Sequence, residues 1–481
     1  MGTRWLLEWC CLAIVVMVPG SWWIYRSIEP KPFALPKSAK NEPWAVQSGL
    51  KIAKLRDRIP TVDRVVLVPD EATFLFAIRQ WSLQGRWPIL IEDTQYTKLF
   101  LDRFQPQEVI RLPAVNTPLP TGLALRQGMQ NAVADAWEAP NRFSLYSQWD
   151  NLGWEPPGTV VTSATDPAWP AAVALASDRG QPLVFLEGNF GQVNERLDLA
   201  TWTGLKTQIE TLVKGTGYAY DTLGDAIDTV TLVKELAVKY ESPENAKVDL
   251  AVTDGLGRHE TGDRWAAVGW IYGTPARAVY QAMSAIFIDA ETALFYDSYP
   301  REEPWIQYEM NQAAVLVSEI GLNVQVIQRP QATVQSWQQL GETDLNFDTI
   351  WVNSKGMSTV FAAGGGGDAS VEDIPQLKYP AIVHFIHSWS ATTPGDRNTL
   401  AGRWLENGAY LYVGSVHEPY LNAFIPPTLL ARRLKRTTPF LIAARQLDSP
   451  PWKITTIGDP LAIISKPRTR LNPTQLPLPN P

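Results

Sequence analysis

The sequence predicts an α/β protein with two or more parallel-sheet units behind an apolar N-terminal helix. Three observations lead there. Runs such as "RVVLV" at 64–68 and "AIVHFI" at 381–386 are continuously apolar rather than alternating, which suits strands covered on both faces. Stretches of helical pattern separate these runs, and strand–helix–strand order forces parallel pairing with helices on the sheet faces. The chain has 481 residues, too many for one ordinary core.

The first element is "WLLEWCCLAIVVMVPGSWWIY" at 5–25, with one charge, Glu8, inside it and Arg4 and Arg26 at its flanks. About 20 apolar residues cross a bilayer as a helix, so 1–26 is expected to be a single transmembrane anchor. Trp22, Trp23 and Tyr25 resemble an interfacial aromatic belt. The alternative is a cleaved signal peptide and a secreted protein, with small residues near 18–20. Either way the body is expected outside the cytoplasm. Both cysteines, Cys10 and Cys11, fall in this segment. The body therefore offers no disulfide, no thiolate metal site and no cysteine nucleophile.

The net charge of -7 argues against nucleic acid as a partner, because phosphates need a basic face. The 20 tryptophans are scattered, and most are expected to be packing groups, with sugar stacking as an alternative for a few.

Residues 27–60, opening with the Pro-rich, charged "EPKPFALPKSAKNEP", are expected to be a linker. Residues 61–242 then read as a tandem α/β region. Strands at 64–70, 87–93 and 108–113 alternate with helices at 71–84 and 94–104. The unit recurs: "TVVTSATDPAWPAAVALASDRGQPLVFLEG" at 159–188 echoes "RVVLVPDEATFLFAIRQWSLQGRWPILIED", with Pro88 and Pro182 at equivalent points. The echo suggests a duplication, while two ordinary βα units of like composition are the simpler alternative. Asp70 and Asp166 follow the first strand of each copy and are expected to cap the helices. No G-x-G-x-x-G follows either strand, so no dinucleotide or other cofactor is expected. Residues 60–190 resemble Rossmann-like bacterial cell-wall-binding repeats.

Residues 243–466 form the second expected α/β domain. Its strands are 247–252, 292–297, 323–328, 347–353, 380–386 and 409–414, with helices at 275–287, 304–319, 331–340 and 397–407. Thr274 and Pro275 suit the N-cap and first position of one of these helices. "AAGGGG" at 362–367 is expected to be a mobile loop. Residues 467–481 are a Pro-rich tail not expected to pack as helix or sheet.

The chemistry-bearing residues cluster late. His384 and His387 are three apart, and on a strand such residues face opposite sides. His384 is thus expected to be a buried, hydrogen-bonded core histidine. No metal ligand set is expected; a site joining these histidines to His417 or Glu418 is the alternative. Lys355 and Ser388 follow adjacent strands, and a desolvated lysine can take a serine's proton. Asp297, Asn353, His417 and Glu418 end or follow strands of the same edge and are expected to line a ligand crevice.

Four motifs carry a resemblance across 247–465: "TIWVNSKG", "KYPAIVHFIHSWSA", "ENGAYLYVGSVHEPY" and "ITTIGDPLAIIS". Together they resemble the gingipain-type peptidases, which are caspase-like cysteine proteases. In that family a His-Gly pair follows the first strand and the nucleophilic Cys follows the second. Here Lys355 precedes Gly356, and His387 or Ser388 stands at the Cys position. The resemblance implies the fold, with the family's catalytic pair replaced. The expected protein is a degenerate peptidase-like domain that binds a protein, peptide or cell-envelope ligand, tethered to the membrane through its N-terminal helix. The alternative is a hydrolase in the same crevice, using Lys355, Ser388 and His387 or a His-bound metal.

Overall fold

The computed structural model describes residues 32–342, 345–465 and 467–477. The expected anchor at 1–26 lies outside the described residues, among which no helix is long and apolar enough to cross a membrane.

The described part of the expected linker, from residue 32 on, contains the 15-residue helix Trp44–Arg58. Val46, Ile52 and Leu55 are buried at three- to six-residue spacing, and Ile52 packs on Leu461 and Ile463. The helix is held by this apolar stripe, which the surrounding charge and proline concealed. Strands β1 (Thr61–Val62), β2 (Arg64–Val68), β3 (Ile89–Ile91) and β4 (Glu108–Arg111) follow. The last three make the expected parallel sheet, in the order β3-β2-β4. The helix after β2 spans Glu71–Ile78, and Asp70 caps it by accepting the Thr73 amide at 2.8 Å.

The echoed unit forms β5 (Thr159–Thr162), the helix Trp169–Arg179 and β6 (Leu183–Phe185). Its hydrogen bonds match the first copy. Val66 N donates to Pro88 O and Val160 N to Pro182 O, each at 2.9 Å. The two prolines accept at equivalent ladder positions while lacking an N–H to offer. Asp166 does not cap its helix. It accepts the Ala168 amide at 2.9 Å and the Glu235 amide at 2.7 Å, tying two loops together.

Farther on come β7 (Arg196–Leu197), β8 (Thr229–Val233), β9 (Lys239–Glu241), β10 (Asp249–Ala251), β11 (Ala267–Ile271), β12 (Thr292–Asp297), β13 (Asn323–Gln328) and β14 (Thr349–Asn353). A small hairpin sheet comprises β15 (Gly356–Met357), β16 (Val360–Ala362) and β17 (Asp368–Ser370). The main sheet resumes with β18 (Ala381–Ile386), β19 (Ala409–Ser415) and β20 (Ile454–Ile457). Ten strands make it, in the order β13-β12-β14-β18-β19-β20-β11-β8-β5-β6. Every pairing is parallel except β19 with β20.

This topology corrects the expected boundary at 242/243. Strands β5, β6 and β8 belong to the same sheet as the later strands. The "KVDLAV" strand, β10, pairs instead with β9 in a minor sheet. The single antiparallel pairing also reverses direction. Strand C-termini of β12, β14, β18 and β19 lie on one edge, and those of β5 and β8 on the other. Periodicity reports which residues are strand, but not which strands are neighbours.

The three-stranded sheet packs on one face of the large sheet through the helices Trp169–Arg179 and Pro275–Phe287. Thr274 caps the latter by accepting the Arg277 amide, with Pro275 at its start. Trp81, Trp137, Trp270 and Trp351 are fully buried, as packing groups should be. The Pro-rich tail packs after all. β21 (Arg470–Leu471) pairs with β1, and Arg64 donates to the carbonyls of Leu476 and Pro473 at 3.0 and 3.2 Å. A buried arginine supplies the donors that prolines lack. The glycine loop is likewise held: Gly365 N donates to Ala332 O and Gly365 O accepts from Val334 N. A Cβ on Gly364 would meet Ala332 O at 2.1 Å, so the run permits close backbone docking rather than motion.

Candidate functional site

The site begins with strand ends. β14, β18 and β19 are parallel neighbours, and the residues leaving their C-termini surround a cleft of about 480 Å³. Lys355, His387, Ser388 and Glu418 line it, together with Trp305 and Trp389. Four of the seven expected site residues therefore converge.

The other three do not reach the cleft. Asn353 and Asp297 are buried side by side beneath it: Asn353 Nδ2 donates to Asp297 Oδ1 at 3.1 Å and to Tyr308 O at 2.6 Å. Burial raises the Asp297 carboxyl above its ordinary range, and the Asn353 bond partly offsets this. These two brace β12 against β14. His417 sits behind Trp389, ring centroids 5.6 Å apart, and its backbone carbonyl accepts the Trp389 amide.

The histidines part company. His384 faces Trp351 and Phe440 on one side of the sheet, with centroids at 5.9 and 6.4 Å. The expected hydrogen bond is absent: neither ring nitrogen has a partner. Burial pushes its pKa down to about 3. His387 turns to the opposite side against Phe385, and its Nε2 lies 3.1 Å from Val360 O. Burial lowers its pKa to about 4. No three metal-ligating side chains gather among the described residues.

Lys355 and Ser388 share the cleft but do not pair in it. Ser388 Oγ donates to Glu418 Oε1 at 3.0 Å. Lys355 Nζ lies over the Trp305 ring, 5.8 Å from its centroid, a distance suited to cation–π attraction. Trp389 is held at φ +53°, a left-handed conformation costly for a bulky residue. Its ring packs on that of His417 and borders the cleft. The sequence reading missed Trp305 and Trp389 because an isolated tryptophan looks like core.

Gly356 controls the approach. A Cβ there would lie 2.4 Å from Val360 O and 2.9 Å from His387 Nε2. Only glycine lets the β15–β16 hairpin close over the His387 ring. Gly356→Ala should cost about 1–3 kcal/mol of stability by overpacking, measured by urea unfolding. An unchanged midpoint would show that the hairpin shifts freely.

No family model and no curated protein matches the chain. Among solved structures it is similar to the crystal structure of the Arg-specific cysteine proteinase gingipain R (RgpB). Identity is 11%, coverage is 64% of this chain and 78% of that one, and the TM-score is 0.43. It is also similar to the complex of Porphyromonas gingivalis RgpB pro- and mature domains. There identity is 12%, coverage is 64% of this chain and 80% of that one, and the TM-score is 0.44.

Proposed function

We propose that this chain is a membrane-anchored, extracytoplasmic binding protein whose cleft holds an extended segment of a partner protein without cleaving it. The role is binding or assembly at the cell envelope. The observation that carries the reading is the engagement of Ser388. Its hydroxyl is spent on Glu418, and Lys355 leans on Trp305 rather than toward it. The Ser/Lys alternative needs a desolvated lysine within hydrogen-bond reach of Ser388 Oγ, and the group in reach is instead the solvent-exposed Glu418 carboxylate. Lys355 is exposed. The body also lacks any cysteine to act in its place.

The cleft suits recognition. Gly356 and Met357 of the edge strand β15 line it, and Met357 is 54% exposed. An edge strand offers unpaired backbone groups to an extended peptide. Trp305 and Trp389 supply the aromatic walls that carry the affinity.

Two measurements test this. A fluorophosphonate probe should leave Ser388 unlabelled; labelling that disappears in Ser388→Ala would establish a hydrolase instead. Peptides selected from a phage-displayed random library on the full chain should still bind the Lys355→Ala, Ser388→Ala double variant. They should bind Trp389→Gly about tenfold more weakly, since the change removes a wall while suiting the left-handed backbone. Equal affinity for Trp389→Gly would place the binding surface elsewhere.

A further inference from the structure

A second surface lies far from the cleft. The turn Arg142–Ser144 presents Phe143 with 80% of its surface exposed. The turn is not loose. Asn141 Oδ1 accepts the amides of Phe143 and Ser144 at 2.9 and 3.2 Å, and Ser144 Oγ accepts the Asn141 amide at 3.2 Å. A phenyl ring is thus held out into water by a rigid frame. Tyr146, 39% exposed, follows one turn later and stacks on Trp149 at 5.4 Å. Between them and the edge strand β6 is a hollow of about 290 Å³, bordered by Val133, Leu145 and Leu183. Among the described residues, Arg142 is the one charged residue that lines that hollow.

The described residues begin beside this patch, at residue 32. Phe33 N donates to Leu152 O at 3.0 Å, and its ring packs on Trp137 at 5.5 Å. Leu152 ends the helix Leu145–Leu152, six residues from Tyr146, or about 9 Å of helix. Seven residues lie between Tyr25, the end of the apolar stretch, and Phe33, and those eight Cα-to-Cα steps span at most about 28 Å. The patch therefore lies within reach of wherever that stretch sits.

We propose that the Phe143–Tyr146 patch rests on the bilayer into which residues 5–25 insert. Phe143 and Tyr146 enter the interface, and Arg142 meets lipid phosphate. Apolar and aromatic groups beside a cation, around a hollow whose own lining holds no carboxylate, have the chemistry of an interfacial contact. The proposal rests on the membrane-anchor reading of 5–25 and is independent of what the cleft binds.

The test uses the full chain with Cys10 and Cys11 changed to Ser, which leaves it free of cysteine. Phe143→Cys, labelled with bimane, is reconstituted into phosphatidylcholine–phosphatidylglycerol vesicles containing doxyl-labelled lipid. Val315→Cys, on the helix Asn311–Glu319 beside the opposite end of the sheet, is the reference; Val315 is 57% exposed. Quenching at 143 should exceed that at 315 severalfold. Equal quenching overturns the proposal. So does a blue shift at 143 that tracks protein density without lipid quenching, which would mark contact with a second copy. Recovery of the chain in a carbonate supernatant overturns it too, by removing the anchor.

Discussion

Replacing Asp459 with alanine should lower the unfolding free energy by about 3–5 kcal/mol, the range for breaking a buried ion pair from one side. Asp459 lies in the "GDP" turn after β20 and is 1% exposed. Its Oδ2 accepts from Arg179 Nε and Nη2 at 3.2 and 3.0 Å, and its Oδ1 holds the turn through the Leu461 amide at 3.0 Å. Arg179, also 1% exposed, ends the helix that separates the two sheets. Its remaining contacts are Asp178, at 3.1 Å, and the Ala285 carbonyl. Without Asp459, a guanidinium stays buried with half its charge partners gone. Urea unfolding followed by tryptophan fluorescence reads the loss. The double change Arg179→Leu, Asp459→Leu should be milder than Asp459→Ala, because no orphan charge remains. A loss below about 1 kcal/mol for Asp459→Ala would mean that the pair behaves like a solvated surface bridge.

The second large effect is a sensitivity to acid. His384 is fully buried with a pKa near 3, against about 6.5 in an unfolded chain. Below about pH 6.5 the unfolded state takes up a proton that the folded state refuses. His384 therefore costs nothing above that pH, and stability falls as pH drops toward 3. By pH 4 its share of the loss should be about 3 kcal/mol. His387, with a pKa near 4, adds a comparable share over the same window. His384→Phe should hold its stability at pH 7, since the ring already packs between aromatics and neither nitrogen is bonded. It should remove about half of the histidine-driven loss between pH 6.5 and 4. Urea midpoints measured across that range decide it. Parallel declines for wild type and His384→Phe would show that His384 is protonated without penalty in the fold.

Strands were the most legible elements. β12 coincides with the apolar run that forecast it, because a buried parallel strand must be apolar on both faces, and the half-exposed edge strand β13 coincides with its alternating run "NVQVIQ". The helix Pro275–Phe287 was marked at its start by Thr274 and Pro275, whose roles are local. The helix Trp44–Arg58 was not seen, since its partners Leu461 and Ile463 lie 400 residues away. The same distance hid the tail strand β21, which β1 pairs and Arg64 anchors.

For the candidate site, sequence placed Lys355, His387, Ser388 and Glu418 at one sheet edge, and they line one cleft. It could not say that Ser388 would bond Glu418 rather than meet Lys355, nor that Asp297 and Asn353 would turn inward.

By itself the sequence determined what depends on a residue and its near neighbours: the parallel α/β character, the helix starts capped by Asp70 and Thr274, and a body without a thiol. Only the tertiary structure decided the joining of both halves in one ten-stranded sheet, the single antiparallel pairing that reverses it, and the partner of each polar group in the cleft. Those outcomes are set by contacts between residues far apart in the chain. Burial and hydrogen-bond satisfaction choose among such contacts, and neither leaves a periodic trace in the amino-acid order.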